Sequence, residues 1–334
     1  MGAAPIGVIA NPVAGRDVRR VAAAAAPSTV DHKISVLRRI LGGAVAAGAD
    51  RFVHLPDRYD LLGRAGRTVA GARLEPCDLE TVGDESDTIA AAALMRQAGC
   101  AVLVVLGGDG THRAAAAGWP DAPMVTVSVG TNNVFPRHDE PTVAGVAAGL
   151  VAASMVDLAV VAPRTKVVAV EMPGAPADLA LVDAVTVDER FVGARALLDP
   201  ARLRLAVVCR AEPAAVGISA VAGLLAPCAD DRDGGVAVWF ADPDHAPMCV
   251  RAPLAPGLVV PVGIEKITRV GLGEVVETTG PAVLALDGER HLPLAPDRPA
   301  RFHVERRGPR VVDTVRVLDL AAEHGWMVDR DRPR

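Results

Sequence analysis

Residues 102–113 read VLVVLGGDGTHR, and this segment is the most informative about the fold. Five apolar residues lead directly into two glycines, an aspartate, a third glycine and a threonine. An unbroken apolar run is typical of a strand that is buried on both faces, as in a parallel sheet covered by helices. Glycines at the end of such a strand let the backbone turn sharply and leave room for a ligand to approach it closely.

The glycine-rich loop after this strand fits a phosphate site, and Asp109 adds a reactive group to it. Backbone N–H groups of such a loop bind anions, and the positive end of the following helix strengthens that binding. A carboxylate repels phosphate, so Asp109 is expected to bind Mg²⁺ or to accept a proton from an attacking hydroxyl. The alternative is a tight turn in which Asp109 caps the next helix.

Two other loops are expected to share this site. Residues 11–16 follow the predicted strand 6–10, and residues 130–133 follow the predicted strand 124–128. Because ligands in open α/β sheets lie at the carboxyl ends of the strands, one ligand could contact all three loops. The candidate ligand-binding residues of the two added loops are Asn11, Gly15, Arg16, Gly130, Thr131, Asn132 and Asn133.

Positive charge for phosphate groups is expected from Arg16 and Arg113, because guanidinium groups match phosphate oxygens in geometry. Residues 130–133 also fit an ordinary turn rich in Gly and Asn, which stays the alternative for that loop. Two other nucleotide-binding patterns are absent from the sequence. No lysine follows a glycine as the P-loop requires, and Arg113 stands where the dinucleotide fingerprint needs its last glycine.

The chain of 334 residues is longer than one hydrophobic core usually supports, so two domains are expected. Up to about residue 157, strands alternate with helices, which predicts a parallel sheet covered on both faces. Beyond it, short β-rich runs separated by turn residues, among them residues 179–187, predict an antiparallel sandwich, and residues 214–225 are expected to be helical. The predicted domains are 1–157 together with 310–334, and 158–309, with the last helix at 315–325 packed on the first domain.

The composition argues against several classes of partner. Thirty-five basic and 40 acidic residues give a net charge of −5, without the clustered basic surface that a nucleic-acid partner would need. No apolar stretch reaches the length of about 18 residues that a membrane span needs, so integral membrane association is not expected. The five cysteines form no C-x-x-C pair and are expected to be reduced thiols in a cytoplasmic protein. The sequence leaves open whether the protein forms a homodimer.

The three loops together resemble those of a known superfamily. GGDGT after a strand, with NP-x-x-G upstream and GTNN downstream, resembles the superfamily that joins NAD kinases with diacylglycerol and sphingosine kinases. GGDGTHR, SVGTNNVFP, ERFVGARAL, RAEPAAVGISA and LALDGER resemble the acetoin-catabolism protein X branch of its ATP-NAD kinase-like proteins, over residues 11 to about 325. The resemblance implies a three-layer α/β domain and a β-rich second domain, with the active site in the cleft between them.

The same resemblance implies roles for individual residues. Asp109 and Asp287 would be catalytic, and Asp109 would also bind Mg²⁺. Ser219 lies in a stretch that is a degenerate counterpart of the Thr-Pro-Thr-Gly-Ser-Thr-Ala-Tyr sequence of NAD kinases. From its residues alone, Asp287-Gly288 predicts a hairpin turn. The other residues implied to bind the ligand are Gly107, Gly108, Gly110, Thr111, Arg113 and Glu289.

Three functions are compatible with these loops. The leading hypothesis is phosphoryl transfer from ATP or polyphosphate, with Mg²⁺, to a hydroxyl, in the first place the 2′-hydroxyl of NAD, which would give NADP. The second is a lipid kinase, which would need a membrane-facing patch and usually has an acid where this chain has Val134. The third is a non-catalytic nucleotide-binding protein of acetoin catabolism. The Asn-Glu pair of NAD kinases is missing, so the sequence leaves donor and acceptor undecided.

Overall fold

The computed structural model describes residues 2–14, 28–130, 133–188 and 199–328. In the first part of the chain strands alternate with helices, as the sequence predicts, and the strands pair in parallel. The elements are β1 (Ile6–Ala10), α1 (Val30–Ala46), β2 (Arg51–His54), α2 (Leu61–Gly66), β3 (Arg73–Pro76), α3 (Glu85–Gln97), β4 (Val102–Gly107), α4 (Asp109–Gly118), β5 (Pro123–Ser128), α5 (Pro141–Ala152) and α6 (Leu158–Val161).

Local sequence sets where these helices begin. The side chain of Thr29 accepts a hydrogen bond from the N–H of His32 at 3.1 Å and so caps α1. Asp84 caps α3 through the N–H of Ser86 at 2.8 Å. Pro141 lies in the first turn of α5, where a backbone donor would have no helical partner in any case.

The second part of the chain consists mainly of antiparallel strands. It contains β6 (Val167–Glu171), β7 (Asp178–Ala180), β8 (Asp183–Val187), β9 (Leu203–Val208), α7 (Ile218–Leu225), β10 (Gly235–Ala241), β11 (Met248–Ala255), β12 (Leu258–Val270), β13 (Val275–Thr279), β14 (Ala282–Leu286), β15 (Arg290–Leu294) and β16 (Pro299–Glu305). The chain then returns to the first sheet through β17 (Arg310–Val311), and α8 (Thr314–His324) follows.

These strands form two sheets. The larger has seven strands in the order β11-β12-β10-β9-β8-β14-β15, and the smaller has four in the order β13-β16-β6-β7. Side chains of both sheets, among them Val168, Leu205 and Phe302, pack in one buried cluster. Helix α7 packs on the other side of the larger sheet through Val221 and Ala222. The predicted β-rich, sandwich-like second part is therefore confirmed.

The parallel sheet separates two apolar clusters, which makes the first part three-layered. Along β1 the side chain of Val8 belongs to the cluster that includes residues of α1 and α5, whereas Ile9 belongs to the cluster that includes residues of α3 and α4. This alternation follows from the strand period of two residues. Helix α8 packs on the same side as α5, with Val317 and Ala321 buried there.

The strand order of the parallel sheet places the site. The order is β17-β5-β4-β1-β2-β3, so the chain runs from β1 outward to β3 and then crosses back to place β4 on the other side of β1. Ligands of open α/β sheets bind where the strand order reverses, outside the carboxyl ends of the strands. Here that point lies between the loop after β1 and the loop after β4.

The structure differs from the sequence prediction in three places. Residues 179–187 were expected to form one strand but form β7 and β8 in different sheets, because the N–H groups of Leu181 and Val182 donate to Asp287 instead of to a neighbouring strand. Helix α7 begins at Ile218, four residues later than expected, after Gly217 with a φ of +92°. Strand β3 is largely exposed, so it has no apolar alternation that would have predicted it.

Candidate active site

The loop after β1 is tied directly to the glycine-rich loop after β4. The side-chain amide of Asn11 donates to Thr111 Oγ1 at 2.9 Å. Its oxygen accepts from the N–H groups of Val13 and Ala14 at 2.9 and 3.1 Å, which fixes the turn. The buried Lys33 Nζ donates to the carbonyl of Pro12 at 2.6 Å and holds the same turn from α1. Asn11 thus orients the loop and does not simply end a strand.

The loop after β5 contacts the glycine-rich loop from the other side. Asn133 donates to Ser128 Oγ at 3.0 Å, and its side-chain oxygen lies about 3.1 Å from the position that a Cβ on Gly108 would take. Gly130 is held by Ser128, whose hydroxyl donates to its carbonyl at 3.2 Å. The structure therefore brings the described parts of all three loops together. The predicted residues Gly15, Arg16, Thr131 and Asn132 lie outside the described residues.

Asp109 is the first residue of α4, but its carboxylate does not cap that helix. It accepts hydrogen bonds from the N–H of Phe135 at 2.9 Å and from the N–H of Val134, at 3.1 Å to each oxygen. Gly108 is the residue at the N-cap position of α4. The alternative interpretation of Asp109 as a helix cap is thus wrong, and its carboxylate joins the β4 loop to the β5 loop.

Asp287 is in the tight turn between β14 and β15. It has a φ of +49°, and Gly288 follows with +69°, as the Asp-Gly pair predicts for a hairpin turn. Its carboxylate accepts hydrogen bonds from the N–H groups of Leu181, Val182 and Asp183 at 2.9, 2.8 and 3.3 Å. Asp287 therefore determines where the chain passes from the smaller β-sheet to the larger one.

The two aspartates are close enough to influence each other's charge. Burial and, after it, the negative charge of Asp287 raise the pKa of Asp109 to about 7, although the two backbone donors oppose the shift. Burial also raises the pKa of Asp287. A carboxyl group that titrates near neutral pH is suited to accept a proton from a substrate and to release it again.

Gly110 is needed for a close approach of another side chain. A Cβ added there would overlap the carboxylate of Glu289, which reaches over from the β14–β15 turn. In the same way, a Cβ on Gly107 would overlap the side chain of Thr111. The glycines of this loop thus bring an acidic side chain of the second part against the first turn of α4.

A cavity of about 850 Å³ opens beside these groups. Its walls come from the loops after β1 and β2, the segment before α3, the first turns of α4 and the β14–β15 turn. Of the predicted ligand-binding residues, the cavity wall includes Asn11, Gly110, Thr111, Arg113 and Glu289. This volume falls within the range of about 300–1,000 Å³ that is typical of small-molecule sites.

Arg113 lies on the cavity wall, but carboxylates already surround its guanidinium. The side chain is almost fully buried, pairs with Glu85, and lies 3.8 Å from a carboxylate oxygen of Asp178. Arg290 pairs with the same two acids, at 2.5 Å to Asp178. Sequence reasoning missed Glu85, Asp178 and Arg290, because no spacing rule connects residues so far apart along the chain.

Ser219 lies away from the cavity. Its hydroxyl donates to the carbonyl of Arg210 and accepts from the N–H of Glu212 at 3.2 Å, so both hydrogen bonds belong to the local structure at the start of α7. Arg210 and Glu212 themselves line a second cavity of about 430 Å³, on the side of the 133–138 loop. The structure therefore does not bring Ser219 to the other predicted residues.

The side chains of His112, Phe135 and Arg210 pack against one another and support the loop whose N–H groups bind Asp109. The ring of Phe135 lies 5.6 Å from the ring of His112 and 4.6 Å from the guanidinium of Arg210. His112 is fully buried, and burial lowers its pKa to about 4, so the ring is neutral at physiological pH. Its Nδ1 lies 2.7 Å from the carbonyl oxygen of Gly108 and donates there in the tautomer that forms this bond.

The donor groups of the described residues bear on the expected Mg²⁺ site. Among the described residues, no group of three or more His, Cys, Asp or Glu side chains is placed to hold a metal ion. The carboxylates of Asp109 and Asp287 accept backbone N–H groups instead. Mg²⁺ is usually bound by one or two carboxylates together with substrate phosphates, so the role of Asp109 as a Mg²⁺ ligand stays a prediction. As for membranes, no described helix combines the length and the apolar character that a span requires.

The fold and the glycine-rich loop define the class: this is a protein of the NAD kinase/diacylglycerol kinase fold. A protein from Bacillus anthracis str. Sterne, assigned as a diacylglycerol kinase, has a similar structure, with a TM-score of 0.52 at 11% identity over 93% of this chain and 98% of that one. Yeast NADH kinase in complex with NADH is also similar, with a TM-score of 0.47 at 13% identity over 100% of this chain and 90% of that one.

Sequence comparison then gives the family. Residues 50–155 match the ATP-NAD kinase N-terminal domain, and residues 166–307 match the acetoin catabolism protein X C-terminal domain. Acetoin catabolism protein X of Cupriavidus necator is 34% identical over 343 residues, which cover 98% of this chain and 95% of that protein. The chain belongs to the acetoin catabolism protein X family, and the resemblance inferred from its motifs is confirmed.

Proposed function

We propose that this protein transfers a phosphoryl group from ATP or polyphosphate to a hydroxyl, with the 2′-hydroxyl of NAD as the expected acceptor and NADP as the product. The observation that carries the proposal is the carboxyl group of Asp109, with a pKa of about 7, at the point where the strand order reverses. A cavity large enough for a nucleotide begins at the next two residues, Gly110 and Thr111. The match of residues 50–155 to the ATP-NAD kinase N-terminal domain supports the same reaction class.

In this proposal Asp109 acts as the general base. The acceptor oxygen forms a bond to phosphorus while the bond from phosphorus to the bridging oxygen breaks, and the proton of the hydroxyl passes to the carboxylate. A carboxylate has about four lone-pair positions. The N–H groups of Val134 and Phe135 occupy three of them in the structure, which leaves one position on Oδ2 for the acceptor hydroxyl.

The glycine-rich loop positions the phosphates in this reaction. Phosphoryl transfer depends mainly on positioning and on neutralisation of charge. The N–H groups at the start of α4 are available for phosphate oxygens, since the first turn of a helix leaves its donors without helical partners. In this proposal Mg²⁺ enters with the nucleotide, as part of the MgATP substrate.

A second function is favoured by a specific observation. Both proposed catalytic carboxylates accept several backbone hydrogen bonds and hold separate chain segments in place. Such groups stabilise a binding site even if they never accept a substrate proton. On this alternative the protein binds a nucleotide without turnover and serves acetoin catabolism as a binding protein.

Two measurements separate these functions. Thermal unfolding with NAD, NADP, ATP, polyphosphate and diacylglycerol vesicles, each with and without Mg²⁺, reports which ligands bind the native state, because a bound ligand raises the apparent stability. Formation of NADP from NAD and MgATP is then followed with an NADP-specific dehydrogenase. Turnover supports the phosphoryl-transfer proposal. Stabilisation by NAD or ATP without formation of NADP, or of a phosphorylated lipid, supports the binding protein instead.

A further inference from the structure

Four charged side chains form a closed ring of ion pairs, and three of them, Glu85, Arg113 and Arg290, line the cavity of about 850 Å³. Glu85 in the first turn of α3 pairs with Arg113 on α4 and with Arg290 at the start of β15. Asp178 on β7 faces the same two arginines, at 3.8 Å from Arg113 and 2.5 Å from Arg290. The ring thus joins two helices of the first part to two strands of the second part.

The two acids of this ring differ in their access to the cavity. Glu85 lines the cavity and its side chain is 38% exposed, whereas that of Asp178 is 17% exposed and is not part of the cavity wall. Asp178 also accepts a hydrogen bond from the N–H of Leu179 at 2.9 Å, which fixes it in β7. Asp178 is therefore the permanent counter-ion, and Glu85 is the one that a ligand in the cavity can replace.

Removal of the Glu85 carboxylate would leave an anion site. Two guanidinium groups opposite one aspartate carry a net charge of +1, and both line the cavity. The Arg113 side chain is 4% exposed, and its Nε has no hydrogen-bond partner among the described residues, so it needs a carboxylate or phosphate beside it. Guanidinium groups bind phosphate oxygens with two parallel hydrogen bonds, which Lys cannot do.

The ring also lies close to the glycine-rich loop. Arg113 follows Asp109 by four residues on α4, so both side chains are on the same side of the helix. Glu85 is the first residue of a 13-residue helix, whose N-terminal N–H groups favour an anion at the same point. A phosphate chain that starts at Gly110 would therefore reach the two arginines within the same cavity.

We propose that the carboxylate of Glu85 occupies an anion site formed by Arg113 and Arg290, and that a phosphate group of a polyphosphate chain binds there by displacing it. The inference rests on the proposed function in one respect, since the ligand enters the same cavity. It adds Arg290 as a phosphate-binding residue and Glu85 as a tethered competitor. Glu85 then sets which ligands bind, because a ligand without a phosphate at this position cannot displace it.

The test uses inorganic tripolyphosphate as the probe and isothermal titration calorimetry on the whole protein at low ionic strength. Glu85→Gln removes the competing charge and is expected to tighten binding by about tenfold, the equivalent of one charge-assisted hydrogen bond. Arg290→Gln is expected to weaken it by about tenfold or more. Glu80→Gln and Arg298→Gln, at exposed positions outside the cavity wall, change the net charge equally and are expected to bind as the wild type does.

Opposite results would overturn the inference. It is wrong if Glu85→Gln binds tripolyphosphate no more tightly than Glu80→Gln, or if Arg290→Gln binds it as Arg298→Gln does. Should Arg290→Gln fail to fold, Glu85→Gln decides alone, because it keeps both arginines. The proposed function is tested separately. The expected order of affinities without any turnover would support the anion site and contradict catalysis. Turnover without binding of tripolyphosphate would support catalysis and contradict the anion site.

Discussion

The carboxylate of Asp109 accepts a hydrogen bond from the backbone N–H of Phe135 at 2.9 Å. This bond joins residues 26 positions apart and links the loops that follow two neighbouring strands, β4 and β5. It also keeps one oxygen of Asp109 directed at the backbone while the group stays buried. The bond thus fixes the position of this carboxyl group, but it opposes the rise of the pKa, which comes from burial and from the negative charge of Asp287.

The raised pKa of Asp109 makes a prediction for stability. The pKa is about 7 in the folded protein and about 3.9 in an unfolded chain, so the folded state binds the proton more tightly between these values. The contribution of Asp109 to the free energy of unfolding is thus present at low pH and lost as the pH rises from about 4 to about 7. Asp109→Asn lacks this dependence.

Urea unfolding of both proteins across this pH range measures the effect. The free energy of unfolding of the wild type is expected to fall relative to that of Asp109→Asn by on the order of 3 kcal/mol between about pH 4 and pH 7. The buried His112, whose low pKa acts in the opposite sense, is common to both proteins and cancels in the difference. Parallel curves would contradict the raised pKa of Asp109.

Asp287 is predicted to tune Asp109 through its charge. Because the negative charge of Asp287 raises the pKa of Asp109, Asp287→Asn should lower it below about 7. The asparagine keeps an oxygen that accepts from the N–H of Val182, so the turn should persist. Carboxyl ¹³C chemical shifts of labelled aspartate, followed over pH, would show the change, and an unchanged titration of Asp109 would show that the two groups are not coupled.

A third prediction concerns the contact between α1 and α5. A Cβ on Gly43 would overlap the backbone carbonyl of Thr142, which cannot move away as a side chain can. Gly43→Ala should therefore lower the free energy of unfolding by about 1–3 kcal/mol, as overpacking does. Gly42→Ala is the matched control in the same helix.

The control is expected to change stability in the other direction. A Cβ on Gly42 has nothing within 4 Å. Alanine there should raise the free energy of unfolding by about 0.4–1 kcal/mol, since it restricts the unfolded chain and favours the helix. Denaturant midpoints of the two variants compared with wild type decide the matter. Equal effects of the two substitutions would mean that α1 and α5 do not pack as described.

The sequence was sufficient to predict the fold class, because periodicity and caps are local. The apolar run 102–106, the cap at Asp84 and Pro141 each fix one element from neighbouring residues. The division into domains 1–157 with 310–334, and 158–309, stays a prediction, which limited proteolysis would test. The candidate active site was predicted in part, because glycines at the ends of strands indicated the loops that form it.

Other features of the site could not be predicted from the sequence. The ring that joins Glu85, Arg113 and Arg290 depends on how the β14–β15 turn meets α4, and nothing local encodes that contact. The roles of the glycines were also interpreted too narrowly. Gly110 was expected only to make room for phosphate, and the structure shows that it also leaves room for the carboxylate of Glu289. Both features arise from tertiary packing, which a single sequence does not show.

The measurement that tests the central proposal most directly is the initial rate of NADP formation from NAD and MgATP, together with the dissociation constant of NAD. The proteins compared are the wild type, Asp109→Asn and Asp319→Asn, an exposed aspartate on α8 that serves as the control. If Asp109 is the general base, Asp109→Asn should lower turnover by about 10²-fold or more and weaken NAD binding far less. Asp319→Asn should match the wild type. Equal rates for Asp109→Asn and the wild type would contradict the account.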